Sequence, residues 1–238
     1  MITLALTSWN RDSMTFESFR QVLNDDRISE IVIVDDHSDV RIYDNLVSMC
    51  KGIDKVKIHR NDTNLGCYHN KRRAVELASN EWVILFDSDN VIKKDYLDSL
   101  LDSKPGTYFK QSDTIYQPEW AKPHFDFRKF AGSVITKDNV KGYMRQQHFT
   151  TMLNAMNFLV NREEFLKIPH DSEEKWTADS IYFNYLWLRE GNKIYVTPGM
   201  QYEHRVNNHG DQEPSHYKTN VHKTGNLYKE VENLIMQL

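Results

Sequence analysis

Two carboxylates one residue apart, Asp87 and Asp89, close the apolar run Val83-Ile84-Leu85-Phe86. Side chains i and i+2 of an extended chain point the same way. If extension persists through Ser88, both acids address one point. Their oxygens suit Mg²⁺ or Mn²⁺, hard ions that keep water or substrate phosphate among their ligands. Such an ion bridges the two phosphates of a nucleoside diphosphate and stabilises it as a leaving group. The competing use of Asp89 or Asn90 is to cap the helix that the spacing from Ile92 onward predicts.

Two other polar clusters follow apolar runs: Thr7-Ser8-Trp9-Asn10-Arg11 and Asp35-Asp36-His37-Ser38. In a nucleotide pocket Trp9, Asn10 and Arg11 would flank a base and bring positive charge to phosphate. Asp35 and Asp36 would accept hydrogen bonds from ribose hydroxyls or a base imide. Thr7 and Ser88 belong to the same clusters and are candidates with them. The plainer uses are core packing for Trp9, a solvated charge for Arg11, and a turn built with Ser38 and Asp39 for the aspartates.

The elements that must hold these clusters alternate in period. "ITLALT", "EIVIVDD", "KVKIH" and "EWVILFDSD" read as strands, while "MTFESFRQVLND", "HNKRRAVELAS" and "KKDYLDSLLDS" have helical spacing. Such alternation predicts an α/β fold with a mostly parallel sheet flanked by helices. Ligands bind such sheets beyond the carboxyl ends of the strands, where the three clusters should converge. Past residue 105 the rhythm changes. "TYFKQS" and "FAGSVIT" are candidate strands, "REEFLKI" and "ADSIYFNYLWLRE" helices, "NKIYVTP" a strand, and "NLYKEVENLIMQL" a terminal amphipathic stretch. The reading is one domain over 1–238, with a change of role near residue 105.

Of the 238 residues, 39% are hydrophobic and 12% aromatic, enough for a core. A net charge of −4 does not suggest a nucleic-acid partner. Two cysteines favour a reducing compartment. The N-terminus lacks signal-peptide character, and no run approaches the ~18 apolar residues of a membrane span. A soluble, cytoplasmic protein is expected.

The order "LTSWNR", "IVIVDDHS", "NLGCYHNKRRAVELASNEWVILFDSDN" resembles the nucleotide-binding half of GT-A glycosyltransferases, especially the family-2-like group. The ordered set covers residues 2–90. The resemblance implies a GT-A fold, with a Rossmann-like, nucleotide-sugar-binding donor half at 1–105 and a smaller acceptor-binding, catalytic subdomain at 106–238. It implies transfer from a nucleotide-sugar, a UDP-sugar foremost, to a hydroxyl of a glycan or other acceptor, with Mn²⁺ or Mg²⁺ present and inversion at the anomeric carbon. Asp89, with His204 after the last strand, matches the metal ligands, and Asp87 shares the ion or contacts the ribose. Asp179 matches the catalytic base, although the family often has two acids in tandem where this chain has Ala178-Asp179. Glu173 and Glu174 are the next acids in line. Asn64 and Lys71, around the third strand-to-helix turn, are nucleotide-binding candidates. Trp120, Trp176 and Tyr143 are either sugar platforms or core.

Two other functions fit parts of this pattern. An apolar strand ending in Asp-x-Asp also resembles haloacid-dehalogenase-type phosphatases, although the motif falls here in the fourth strand. A non-catalytic nucleotide-sugar- or glycan-binding domain would keep the fold without the chemistry.

Overall fold

Continuous apolar runs rich in Val, Ile and Leu need cover on both faces, and the centre of the molecule supplies it. The computed structural model describes residues 1–101, 111–175, 178–205 and 216–238. Strands β1 (Ile2–Ser8), β2 (Ile28–Asp35), β3 (Val56–Arg60) and β4 (Trp82–Asp87) lie in the order β3-β2-β1-β4, all parallel. Leu4, Ala5 and Leu6, Ile31 through Val34, and Val83 through Phe86 are fully buried, as expected for strands covered on both sides. Helices α1 (Asp12–Phe19), α2 (Val40–Cys50) and α3 (Cys67–Leu77) make the connections, and α4 (Lys94–Leu101) follows β4.

The parallel order stops at β4. Its outer edge pairs antiparallel with β8 (Phe158–Asn161), which pairs antiparallel with β5 (Thr114–Lys122). Beyond β5 lie β9 (Lys193–Glu203), parallel to it, and then β7 (Val134–Ile135); β6 (Phe125–Asp126) hooks back on β5. One sheet thus runs through both halves of the chain. Helices α5 (Val140–Tyr143), α6 (Phe149–Leu153), α7 (Arg162–Lys167), α8 (Asp179–Arg189) and α9 (His216–Ile235) complete the second half.

Helix α8 is fixed from several sides. Trp187 is fully buried, and its indole N–H donates to the Lys193 carbonyl at 2.7 Å, tying the helix to β9. Phe183 stacks on Phe165 of α7 at 4.5 Å. The Asn184 amide donates to the Leu153 carbonyl at 2.7 Å. Among the described residues, no helix is long and apolar enough to cross a membrane. "TYFKQS" falls largely in 102–110, and Trp176 is residue 176; both lie outside the described residues.

Candidate active site

Parallel register sets the first feature of the site. Thr7 pairs with Val34 and Asp87, and Ser8 pairs with Asp35, so β1, β2 and β4 end level with one another. The three polar clusters do meet at one sheet edge. Their side chains then divide between building that edge and facing the space beyond it.

The aspartates after β2 build. The Asp36 carboxylate is 3% exposed and accepts from the Leu65 N–H at 2.8 Å, the Gly66 N–H at 2.9 Å and the Asn61 side-chain amide at 2.9 Å. Burial pushes its pKa up against those donors. Asp35 is as deeply buried. It accepts from the Ser38 N–H at 3.1 Å and from the Ser38 hydroxyl, with Arg60 at 3.6 Å. Asn10, at φ 52°, joins two turns: its N–H donates to the Ser38 hydroxyl and its side-chain oxygen accepts from the Asp39 N–H, each at 2.8 Å. Asn64 accepts from the Gly66 N–H at 3.1 Å. Thr7 and Trp9 are half-buried at the end of β1. Asp36→Ala is expected to release the 61–66 loop and cost about 2 kcal/mol, the scale of hydrogen bonds to a buried charge. An unchanged thermal unfolding midpoint would contradict that role.

Beyond β4 the chain does not stay extended. The Asn90 N–H returns to the Asp87 carbonyl at 3.1 Å, so Ser88 and Asp89 lie in a turn. The alternation that would aim Asp87 and Asp89 the same way ends there. Asp89 pairs with Arg11 at 3.1 Å. Asp87 pairs instead with Lys71 at 3.1 Å. Ser88 is fully buried, and its hydroxyl has no hydrogen-bond partner among the described residues.

Lys71 is the centre of the site. It rises from α3, is 7% exposed, and its Nζ lies 2.8 Å from Asp179 Oδ2 as well as 3.1 Å from Asp87 Oδ1. Burial alone would disfavour the ammonium, but Asp179 and Asp87 hold its pKa well above the usual value. Asp87 is pushed up by burial and by Asp89 and Asp179, with Lys71 opposing. Asp179 is the first residue of α8, yet capping that helix is not its task. The Ile181 N–H is taken by the Asn154 side chain at 3.2 Å, and the N-cap position is Ala178. The Asp179 carboxylate is left to face Lys71.

Asn157 was not singled out in the sequence, and it organises the same corner. It is 2% exposed, and its side-chain oxygen accepts the Asp87 N–H at 2.8 Å. Its amide donates to the Tyr202 hydroxyl at 3.2 Å, and its carbonyl accepts from the Tyr96 hydroxyl at 3.0 Å. A polar residue just ahead of the apolar Phe158-Leu159-Val160 was the available signal.

His204 leaves β9 with its N–H donated to the Lys122 carbonyl at 2.6 Å. Its Nδ1 is buried without a hydrogen-bond partner among the described residues. Burial and His124 lower its pKa, with Asp89 acting against them. A neutral imidazole with an unsatisfied ring nitrogen, within electrostatic reach of a carboxylate, is chemically suited to metal ligation. Among the described residues no three His, Cys, Asp or Glu side chains gather tightly enough to enclose an ion by themselves. Glu174 is placed elsewhere, with its carboxylate 3.4 Å from the Tyr68 N–H at the start of α3. Gly66, at φ +85°, leaves room for it, since a Cβ there would fall 2.0 Å from Glu174 Oε2. Tyr143 packs against Phe130 and Phe149 in the core.

The sequence profile described as "Glycosyl transferase family 2" matches residues 3–104, the segment that carries β1 to β4 and the strand-end clusters. Crystal structures of S. aureus TarS 1-349 superpose on this chain. The complex with UDP-GlcNAc gives a TM-score of 0.69 at 16% identity, covering 99% of this chain and 70% of that one. The complex with UDP gives 0.66 at 14% identity, covering 99% and 69%. The chain has the GT-A fold, and its strand-end half matches glycosyl transferase family 2. The chain also resembles a glucosyl-dolichyl phosphate glucuronosyltransferase of Haloferax volcanii, 25% identical over 146 residues. That alignment covers 58% of this chain and 44% of the relative, so the chain spans less than half of that relative's length.

Proposed function

We propose that this glycosyltransferase moves a sugar from a nucleotide-sugar donor, a UDP-sugar foremost, to a hydroxyl acceptor, with inversion at the anomeric carbon. The observation that carries the reading is the buried Lys71, which joins Asp87 at the end of β4 to Asp179 at the start of α8. That junction lies at the sheet edge where open α/β sheets bind ligands. The bound UDP-GlcNAc and UDP of the TarS structures support the donor class.

In this reading Asp179 takes the proton from the acceptor hydroxyl as the sugar is transferred. Lys71 fixes the position of that carboxylate, and Asn157 fixes the backbone of Asp87. Asp87, Asp89 and Asp179 outnumber Lys71 and Arg11, so an incoming diphosphate meets a corner short of positive charge. Asp89 and His204 would hold Mn²⁺ or Mg²⁺, with the remaining positions left to water and the diphosphate. The ion would supply charge neutralisation of the leaving nucleotide.

Thermal unfolding against a panel of UDP- and GDP-sugars, with Mn²⁺ and with chelator, tests the donor class. A donor present at about 100 times its dissociation constant should add about 2.7 kcal/mol. Stabilisation by a UDP-sugar that disappears with chelator is the expected result. No shift with any donor would reject the reading.

A further inference from the structure

The chain carries a net charge of −4, yet residues 120–148 hold six lysines and arginines against two aspartates. This segment is therefore positive on an otherwise acidic molecule, and packing brings two of its charges onto one ring, with Glu119 near Arg128. Lys122 Nζ lies 4.5 Å, and the Arg128 guanidinium carbon 4.0 Å, from the centre of the Trp120 ring. The two cations are thus closer than the Debye length, about 10 Å at 0.1 M salt. Asp126 neutralises one of them, through 2.9 and 2.6 Å bonds to Arg128.

Lys129 sits 4.8 Å from the ring of Phe130, and that ring packs edge-on against Tyr143 of α5 and Phe149 of α6. The segment bearing Lys141 and Arg145 is thereby drawn to the same region. Lys129, Lys141 and Arg145 are exposed, and among the described residues none has a carboxylate partner. The other end of the patch reaches the active site. The Lys122 carbonyl takes the His204 N–H, and the rings of His124 and His204 lie 5.7 Å apart.

We propose that this basic track binds the acceptor, and that the acceptor is an acidic saccharide chain bearing carboxylate or phosphate groups. The proposal rests on the glycosyltransferase reading and names its acceptor class. The Asp87, Asp89 and Asp179 corner repels an anion, whereas the track beside it attracts one. An acidic chain is therefore held by its charges along the track while an uncharged hydroxyl is presented to Asp179.

The test uses a fluorescent oligogalacturonate and its methyl-esterified, neutral counterpart, with binding read by anisotropy in the presence of UDP and Mn²⁺. The variant is Lys129→Ser, Lys141→Ser and Arg145→Ser together, three exposed charges outside the donor corner. The acidic oligomer should bind at least about tenfold tighter than the ester, and the triple variant should lose at least about tenfold, the scale of three exposed charges. Affinity should also fall between about 50 and about 300 mM salt. UDP affinity should be the same in both proteins. Failure of both proteins to bind UDP would strike the donor reading, while the oligomer preference still reports on the track. Equal affinity for acid and ester, or no loss in the triple variant, would overturn the proposal. So would tighter binding of phosphatidylglycerol vesicles or duplex DNA than of the acidic oligomer, which would assign the track to a membrane or a nucleic acid.

Discussion

Asp179→Asn should lower sugar transfer by about 10²–10⁴-fold, the range that a positioned general base contributes. Donor affinity should not fall with it, because a base acts in the transition state rather than in donor binding. The geometry makes the substitution informative. Asn154, and not Asp179, accepts the Ile181 N–H, so helix α8 keeps its cap in the variant. The asparagine oxygen still accepts from Lys71 at the 2.8 Å position. A merely structural Asp179 would therefore tolerate the change. Transfer within about threefold of wild type, with donor binding unaltered, would remove Asp179 as the base.

Lys71→Met should carry the largest cost in stability. It leaves Asp87 and Asp179 facing each other across a buried gap without their shared cation. Breaking a buried ion pair by removing one partner costs about 3–5 kcal/mol. For a chain of this length the midpoint would drop by on the order of 10 °C. Lys71→Arg keeps the charge and should recover part of the loss. The double variant Lys71→Met with Asp179→Asn should be less unstable than the two single changes added together, since one carboxylate charge is then gone. Additive losses, or a Lys71→Met midpoint equal to wild type, would contradict the central position given to Lys71.

The donor half was largely legible in the sequence because its strands are uninterrupted apolar runs. Val83 to Phe86 and Ile31 to Val34 are followed by acids and turns, and they fold as β4 and β2. The sequence predicts a turn at Ser38-Asp39 and no helix after it, whereas Asp39 accepts the Arg41 N–H and opens α2. β5 was hidden for a different reason. Gln117, Pro118 and Glu119 interrupt its pattern, and its pairing with β9 shifts register there.

Within the site, sequence order placed the clusters at one edge but not their partners. Lys71 was a candidate nucleotide ligand, since a lysine near a turn invites that use. Its burial depends on Asp179, 108 residues further on, which no local pattern displays. Asp36 was matched to the nucleoside, yet its oxygens meet the Asn61, Leu65 and Gly66 donors of the neighbouring loop. The same-face placement of Asp87 and Asp89 required extension through Ser88, and the Asn90-to-Asp87 turn replaces it.

Calorimetric titration of UDP with Mn²⁺ into wild type and Asp89→Asn tests the donor site most directly. Asp89 is partly exposed at a turn and pairs with Arg11, so its neutral counterpart should fold normally. The account expects UDP to bind wild type only when Mn²⁺ is present, and the variant to lose that binding. Equal UDP affinity in the two proteins with Mn²⁺ would contradict it.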